Sequence, residues 1–177
     1  MRRSVVLVIA VVGLLLATAT PVSSAAAEKT VYYGIECFEV NLWGESYHEG
    51  GNTIHVRGGV GVADEYVWDG EDWAFAGTNN TVINANENLK SGTSTSWGTF
   101  SISLSGIGDF EGNWANDVAR GKATDGSGML MKTDLAPDMS DFPTLPPFDF
   151  CGDVVIDPPV FSLPPSPVMF TIINPHA

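Results

Sequence analysis

The chain has 177 residues, 21 of them acidic against 8 basic, with a formal charge of −13 and an isoelectric point near 4.3. That balance argues against a nucleic-acid partner, since phosphate binding needs a basic stripe that this chain lacks. It disfavours an anionic membrane surface for the same reason.

In chain order, Arg2 and Arg3 precede an apolar run from Val5 to about Ala17, followed by Pro21 and by Ala25 and Ala27 in an A-x-A arrangement. This is the pattern of a secretory signal peptide cut after Ala27, and the run is shorter than the roughly 20 residues a spanning helix needs. No second long apolar segment follows, so residues 28–177 are expected to be exported, to the medium or a periplasm, with no membrane attachment after cleavage. Their length fits one domain. Cys37 and Cys151 are an even pair in an exported chain, which predicts a disulfide tying an early strand to the proline-rich end. Neither lies in a C-x-x-C or beside a basic residue, so a redox role is not indicated.

From Glu28 onward, short runs of Val, Ile, Tyr, Phe, Trp and Thr are separated by Gly, Asn and Asp, with almost no helical period. The fold class is therefore all-β. Strands are expected over 30–42, 53–62, 65–68, 72–76, 81–86, 94–104, 110–123 and 127–134. "WDGEDW" at 68–73 reads as a tight hairpin between two aromatic strand ends, and "SLSGIGD" at 103–109 as a second turn. In "GNWANDVARGKATDGSGML", residues 112–130, Asp125-Gly126 is a preferred two-residue hairpin turn, which sets Arg120 opposite Met131 and Asp117 opposite Asp134. The carboxylates of that stretch do not fall at the alternate positions a calcium loop requires.

From Ala136 onward the chain carries ten of its 11 prolines, too many for central strands. Residues 136–150 read as an extended connection, Cys151–Ile156 as a closing strand, and 157–177 as a proline-rich tail. The expected organisation is a signal peptide (1–27), a β domain (28–156) and that tail. Eight or nine short strands joined by short turns predict an antiparallel meander closed into a small barrel of about eight strands, with a β-sandwich as the alternative.

For a binding site the residues offer two leads. In "NTIHVRGG", alternation puts His55 and Arg57 on one face, where they can orient an anionic or carbonyl-bearing ligand. Among Trp43, Trp68, Trp73, Trp97 and Trp114, most are expected in the core, with Trp97 and Trp114 as candidates to line a ligand site. His48 lies near Glu45 and Glu49 but lacks a closing fourth ligand, so no metal site is assigned. "RGGVGVAD" at 57–64 lacks the Lys-Ser/Thr and following helix of a phosphate loop and reads as a bulged strand. There is no G-x-S-x-G elbow, no catalytic residue is assigned and no cofactor is called for. Asn79-Asn80-Thr81 matches a glycosylation sequon.

"WGTFSIS" at 97–103, "GDFEGNWANDVARGK" at 108–122, "GSGMLM" at 126–131 and "CGDVVIDPP" at 151–159 together resemble the glycine and tryptophan pattern of allene oxide cyclase barrel-like and related calycin-like secreted bacterial proteins. Ala115-Asn116 departs from that pattern, where a second glycine usually follows the tryptophan. The resemblance implies a small eight-stranded barrel with an apolar cavity, and carries over no catalytic residue. Three functions follow as expectations. The first is a non-catalytic exported barrel that binds a small apolar or amphipathic ligand or a surface partner. The second is a carbohydrate-binding or adhesion module, and the third an isomerase or cyclase of the allene oxide cyclase type, which requires an ionisable group in a pocket with a perturbed pKa. The oligomeric state is not specified by the sequence.

Overall fold

The structure is a computed structural model and describes residues 30–126, 130–135, 137–152, 155–157 and 168–174. The expected signal peptide lies outside the described residues. Among the described residues ten strands are present: β1 (Thr30–Asn41), β2 (Ser46–Gly50), β3 (Thr53–Trp68), β4 (Trp73–Asn88), β5 (Thr93–Leu104), β6 (Gly108–Ala115), β7 (Val118–Ala123), β8 (Leu130–Asp134), β9 (Val155–Asp157) and β10 (Val168–Asn174). One short 3-10 turn, Met139–Asp141, is capped by the Asp138 carboxylate, which accepts from the Ser140 N–H.

Alternation along these strands decides the shape. In β5, Phe100, Ile102 and Leu104 are buried while Thr99, Ser101 and Ser103 are exposed, a period of two that gives the sheet one apolar face. Such a face is buried when the sheet curls on itself. The strands close in the order β1-β3-β4-β5-β6-β7-β8-β10 and back to β1, an eight-stranded antiparallel barrel. β2 extends the sheet beside the start of β3, and β9 lies parallel to the end of β1. Inside, Phe100, Ile102, Leu104, Phe110, Ala119, Phe170 and Ile172 pack as one cluster with Trp114 and Tyr32 against it. Fully burying each large apolar side chain contributes roughly 1.5–3 kcal/mol.

The hairpin at 68–73 forms as expected, with Trp68 opposite Trp73. "RGGVGVAD" is a bulged strand: the β3–β4 register shifts between Val56 and Gly59, with Gly58 at φ +66°. Two long strands replace pairs of expected short ones, because alternation continues through 63–64 in β3 and 77–80 in β4. The expected single strand over 110–123 is instead a hairpin, turning at Asn116 with φ +51°, a conformation asparagine tolerates without glycine. The β7–β8 register also differs by one residue from the expected one. Val118 faces Asp134, Ala119 faces Thr133 and Arg120 faces Lys132. Ala119 and Thr133 are consequently buried together. Residues 127–129 of that connection lie outside the described set.

The chain's end is the largest difference. The expected tail over 157–177 does not extend to Val168–Asn174, which is a barrel strand between β8 and β1, with Phe170 and Ile172 in the core. The physical reason is local: the dense prolines stop at Pro167, and "VMFTII" is β-branched and aromatic. β10, not the stretch 151–156, closes the barrel. The connection 137–152 packs on the outer side of β1 and β3, where Phe142 and Phe150 join Ile35, Trp73, Met169, Tyr33 and Tyr66. The disulfide Cys37–Cys151, with Cα atoms 5.1 Å apart, fastens it there.

Candidate functional site

Three of the four residues singled out from the sequence meet on the outer wall. The pairing of β3 with β4 brings Asn86 opposite His55, and the Asn86 side-chain oxygen lies 2.8 Å from His55 Nδ1 and accepts from Arg57 Nη2 at 2.9 Å. Arg57 Nη1 donates to the carbonyls of Val56 (2.6 Å) and Ala85 (3.0 Å). Its guanidinium carbon lies 5.1 Å from the centre of the Trp97 ring on β5, within cation–π range. The planar guanidinium is thus held by three hydrogen bonds and supports the indole from one side. Trp97 remains 37% exposed.

Trp114 does not join them. It points into the barrel, donates its indole N–H to the Val82 carbonyl at 3.2 Å and packs on the core. Gly98 makes this fit, because a Cβ there would lie 2.6 Å from the Trp114 indole nitrogen. Trp43 is exposed at the end of β1, edge-on to Tyr47, with its indole N–H donating to Asp157. His48 faces His55 across β2–β3. Among the described residues, no group of three or more His, Cys, Asp or Glu side chains is placed to hold a metal ion.

Next to Trp97 the outer wall carries an open groove of about 630 Å³. Register explains its lining. One cross-strand row runs Val60, Val82, Thr99, Asn113 and the next Asn80, Ser101, Glu111, and Arg120 and Lys122 continue these rows onto β7 beyond the lining. All nine side chains are exposed. Thr99 stands two residues from Trp97 on the same face of β5, so the indole lies one step along the strand from the lining and is not part of it. The lining is mixed, with Val60 and Val82 as its apolar part and Asn80, Thr99, Ser101, Glu111 and Asn113 as its polar part.

A second cluster lies inside the barrel and was not among the residues the sequence singled out. Glu36 on β1 faces Glu65 on β3, and Asn79 projects toward them from β4. Glu65 is 0% exposed, Glu36 6% and Asn79 6%. Asn79 donates to a Glu36 oxygen at 3.2 Å. Burial pushes the Glu65 carboxyl well above the usual carboxylate range, and the Glu36 charge beside it pushes further. Burial also raises Glu36, partly offset by hydrogen bonds from Glu65 and Asn79. One signal for the pair was present in the sequence: Glu65 continues the inward phase of Gly61 and Ala63, both buried. Asn79, the sequon asparagine, has its side chain in this interior cluster, so the folded barrel shields it from modification.

Compared with known proteins, the chain matches no family model, no curated protein and no solved structure. Of the expected resemblance, what the structure bears out is the closed eight-stranded antiparallel barrel.

Proposed function

We propose that this protein is an exported, non-catalytic β-barrel that binds a carbohydrate along the outer wall of β3–β6. The observation that carries the reading is the groove itself. A sugar presents apolar C–H faces and a rim of hydroxyls, and the groove pairs Val60 and Val82 with the amides of Asn80 and Asn113 and the hydroxyls of Thr99 and Ser101. Trp97, braced by Arg57, supplies a flat ring one step along β5 from the lining. Export is supported by the charged, apolar and A-x-A segments at 1–27 and by the disulfide, which oxidising compartments favour.

A small apolar ligand, the other binding reading, calls for an enclosed apolar chamber, whereas aromatic side chains from β5, β6 and β10 pack against one another inside the barrel. The isomerase or cyclase reading draws support from Glu36 and Glu65, which have raised pKa values. Both are sealed among packed strands, and so this reading ranks below binding.

Soluble oligosaccharides of differing composition, titrated against the purified protein with tryptophan emission as readout, test the proposal. Saturable binding is expected, weakened about tenfold (~1.4 kcal/mol) by Trp97→Ala and also reduced by Asn113→Ala. Saturable binding that both variants leave intact, or binding by apolar ligands alone, overturns it.

A further inference from the structure

We propose that Glu36 and Glu65 share a proton inside the barrel and form a latch on the β1–β3 seam, which loosens when that proton is lost at alkaline pH. The inference goes beyond the binding proposal and does not depend on it.

The geometry is a surplus of acceptors. Glu65 Oε1 and Oε2 and the Asn79 side-chain oxygen are buried, and no protein N–H or O–H reaches them. The amide of Asn79 donates to Glu36 Oε1 at 3.2 Å and also acts on the neighbouring Glu65 carboxyl, lowering its pKa against the larger effect of burial. Glu36 and Glu65 are nevertheless direct register partners across the β1–β3 pair, and both are buried. Two ionised carboxylates are acceptors only, so a pair buried face to face is satisfied when one of them carries a hydrogen. Among the described side chains no counter-charge faces the pair either. Arg57 is committed to Val56, Ala85 and Asn86, while Lys90, Arg120 and Lys122 are exposed away from the interior.

The groups facing the pair come from β1, β3, β4 and β10. β1 supplies Glu36, and β3 supplies Glu65 together with Asp64, whose charge acts on Glu65 from the outer wall. β4 supplies Asn79 and, opposite Glu65, Gly77. β10 sets Val168 beside Glu36. Every charge in that set is negative, so nothing compensates a second ionisation. The pair sits in the eight-residue ladder Gly34–Asn41 against Val60–Val67, adjacent to the Cys37–Cys151 bridge. Repulsion there acts across one seam while the disulfide holds β1 to the connection 137–152. Opening is therefore local and reversible.

Amide-exchange protection factors, measured by NMR on the disulfide-bonded protein from about pH 4 to about pH 10, test the latch. In the wild type, protection at residues 35–37 and 64–66 is expected to fall with rising pH, about tenfold for each unit by which the fold raises the pair's proton affinity. In Glu65→Gln and Glu36→Gln, protection at those residues is expected to stay flat. A fall of equal size in the wild type and either variant overturns the latch. So does a native mass spectrum in which the wild type retains a metal ion that Glu65→Gln lacks, since the acceptors would then serve a cation. Should neither variant fold, infrared spectroscopy of the wild type decides. A protonated-carboxyl C=O band that persists at neutral pH and vanishes on alkaline titration supports the shared proton, and its absence at neutral pH overturns it.

Discussion

The ring of Phe170 occupies the space that a side chain on Gly34 would fill. The two residues face each other across the β1–β10 pair, and a Cβ built on Gly34 overlaps the ring carbons. Phe170 is 1% exposed, so the ring has no solvent-side position to retreat to without leaving the core. Gly34→Ala is therefore expected to destabilise the fold by about 1–3 kcal/mol through overpacking, read as a lower denaturant midpoint. Phe170→Ala tests the same contact from the other side by opening a cavity, at about 3–5 kcal/mol. A Gly34→Ala variant as stable as the wild type would show that β10 does not close the barrel in this register.

The Cys37–Cys151 bridge spans 114 residues and fastens the connection 137–152 to β1. Its loss frees a long loop in the unfolded chain, for which the chain-entropy estimate is about 4–5 kcal/mol. The double variant Cys37→Ser/Cys151→Ser is expected to lose most of that in guanidinium denaturation. Because Phe142 and Phe150 pack on Tyr33, Trp73 and Tyr66, the tryptophan emission of the variant is also expected to shift as Trp73 gains solvent.

What was legible in the sequence follows from the range of each signal. The hairpin at 68–73 and the bulge in 57–64 rest on local glycine and asparagine-type chemistry, and both form. The turn at Asn116-Asp117 lacks glycine, so its break in the pattern is silent until Asn116 is seen at positive φ. β10 was hidden by its neighbours, since proline density over 157–167 masks seven residues of good strand sequence. For the site, alternation placed His55 and Arg57 on one face, but their common partner Asn86 lies some 30 residues onward and depends on the β3–β4 register. The inward phase of Trp114 was not legible for the same reason, because phase on β6 is fixed only once the turn at 116–117 is known. Glu36 and Glu65 run against the rule that acids stay at the surface, and only the closure of β1 on β3 brings them together.

Arg57 and Trp97 supply a measurable coupling. Arg57 is partly buried and fixed by three hydrogen bonds, so little side-chain entropy remains to be lost in stacking. A double-mutant cycle with Arg57→Ala and Trp97→Ala is expected to give a coupling energy of about 0.5–1 kcal/mol in favour of the pair, from denaturation midpoints. Arg57→Lys is expected to recover only part of it, since an ammonium cannot serve Val56, Ala85 and Asn86 while lying flat on the ring.

At Asn116 the backbone angle of +51° sets the cost of substitution. Its side-chain oxygen also accepts from the Ser96 N–H at 3.3 Å, which links the β6–β7 turn to β5. Asn116→Ala loses that bond and puts a residue without asparagine's local side-chain hydrogen bonding into the left-handed region, for an expected loss of about 1–2 kcal/mol. Asn116→Gly keeps the backbone angle accessible and loses only the hydrogen bond, so it is expected to fall between alanine and wild type. Equal losses in the two variants would mean that the side-chain bond, which both remove, and not the backbone angle, holds the turn.

The two buried glutamates also fix the sign of the pH dependence of global stability. Their folded pKa values are raised, so the folded state holds protons that the unfolded chain has already released. Stability from this source is fully present below the ordinary carboxylate pKa and declines as pH rises through the raised folded values. Asp69 works in the opposite sense: the backbone N–H groups of Asp72 and Glu71 lower its pKa, so its support of the 68–73 hairpin fades only in acid, below the usual aspartate range. Urea midpoints measured across pH are thus expected to decline from mildly acidic toward alkaline conditions. Glu65→Gln is expected to raise the midpoint at neutral pH and flatten the alkaline limb, because a carboxamide supplies a donor with no charge to desolvate. A neutral-pH midpoint lower than that of the wild type would show instead that the ionised Glu65 is compensated by a cation.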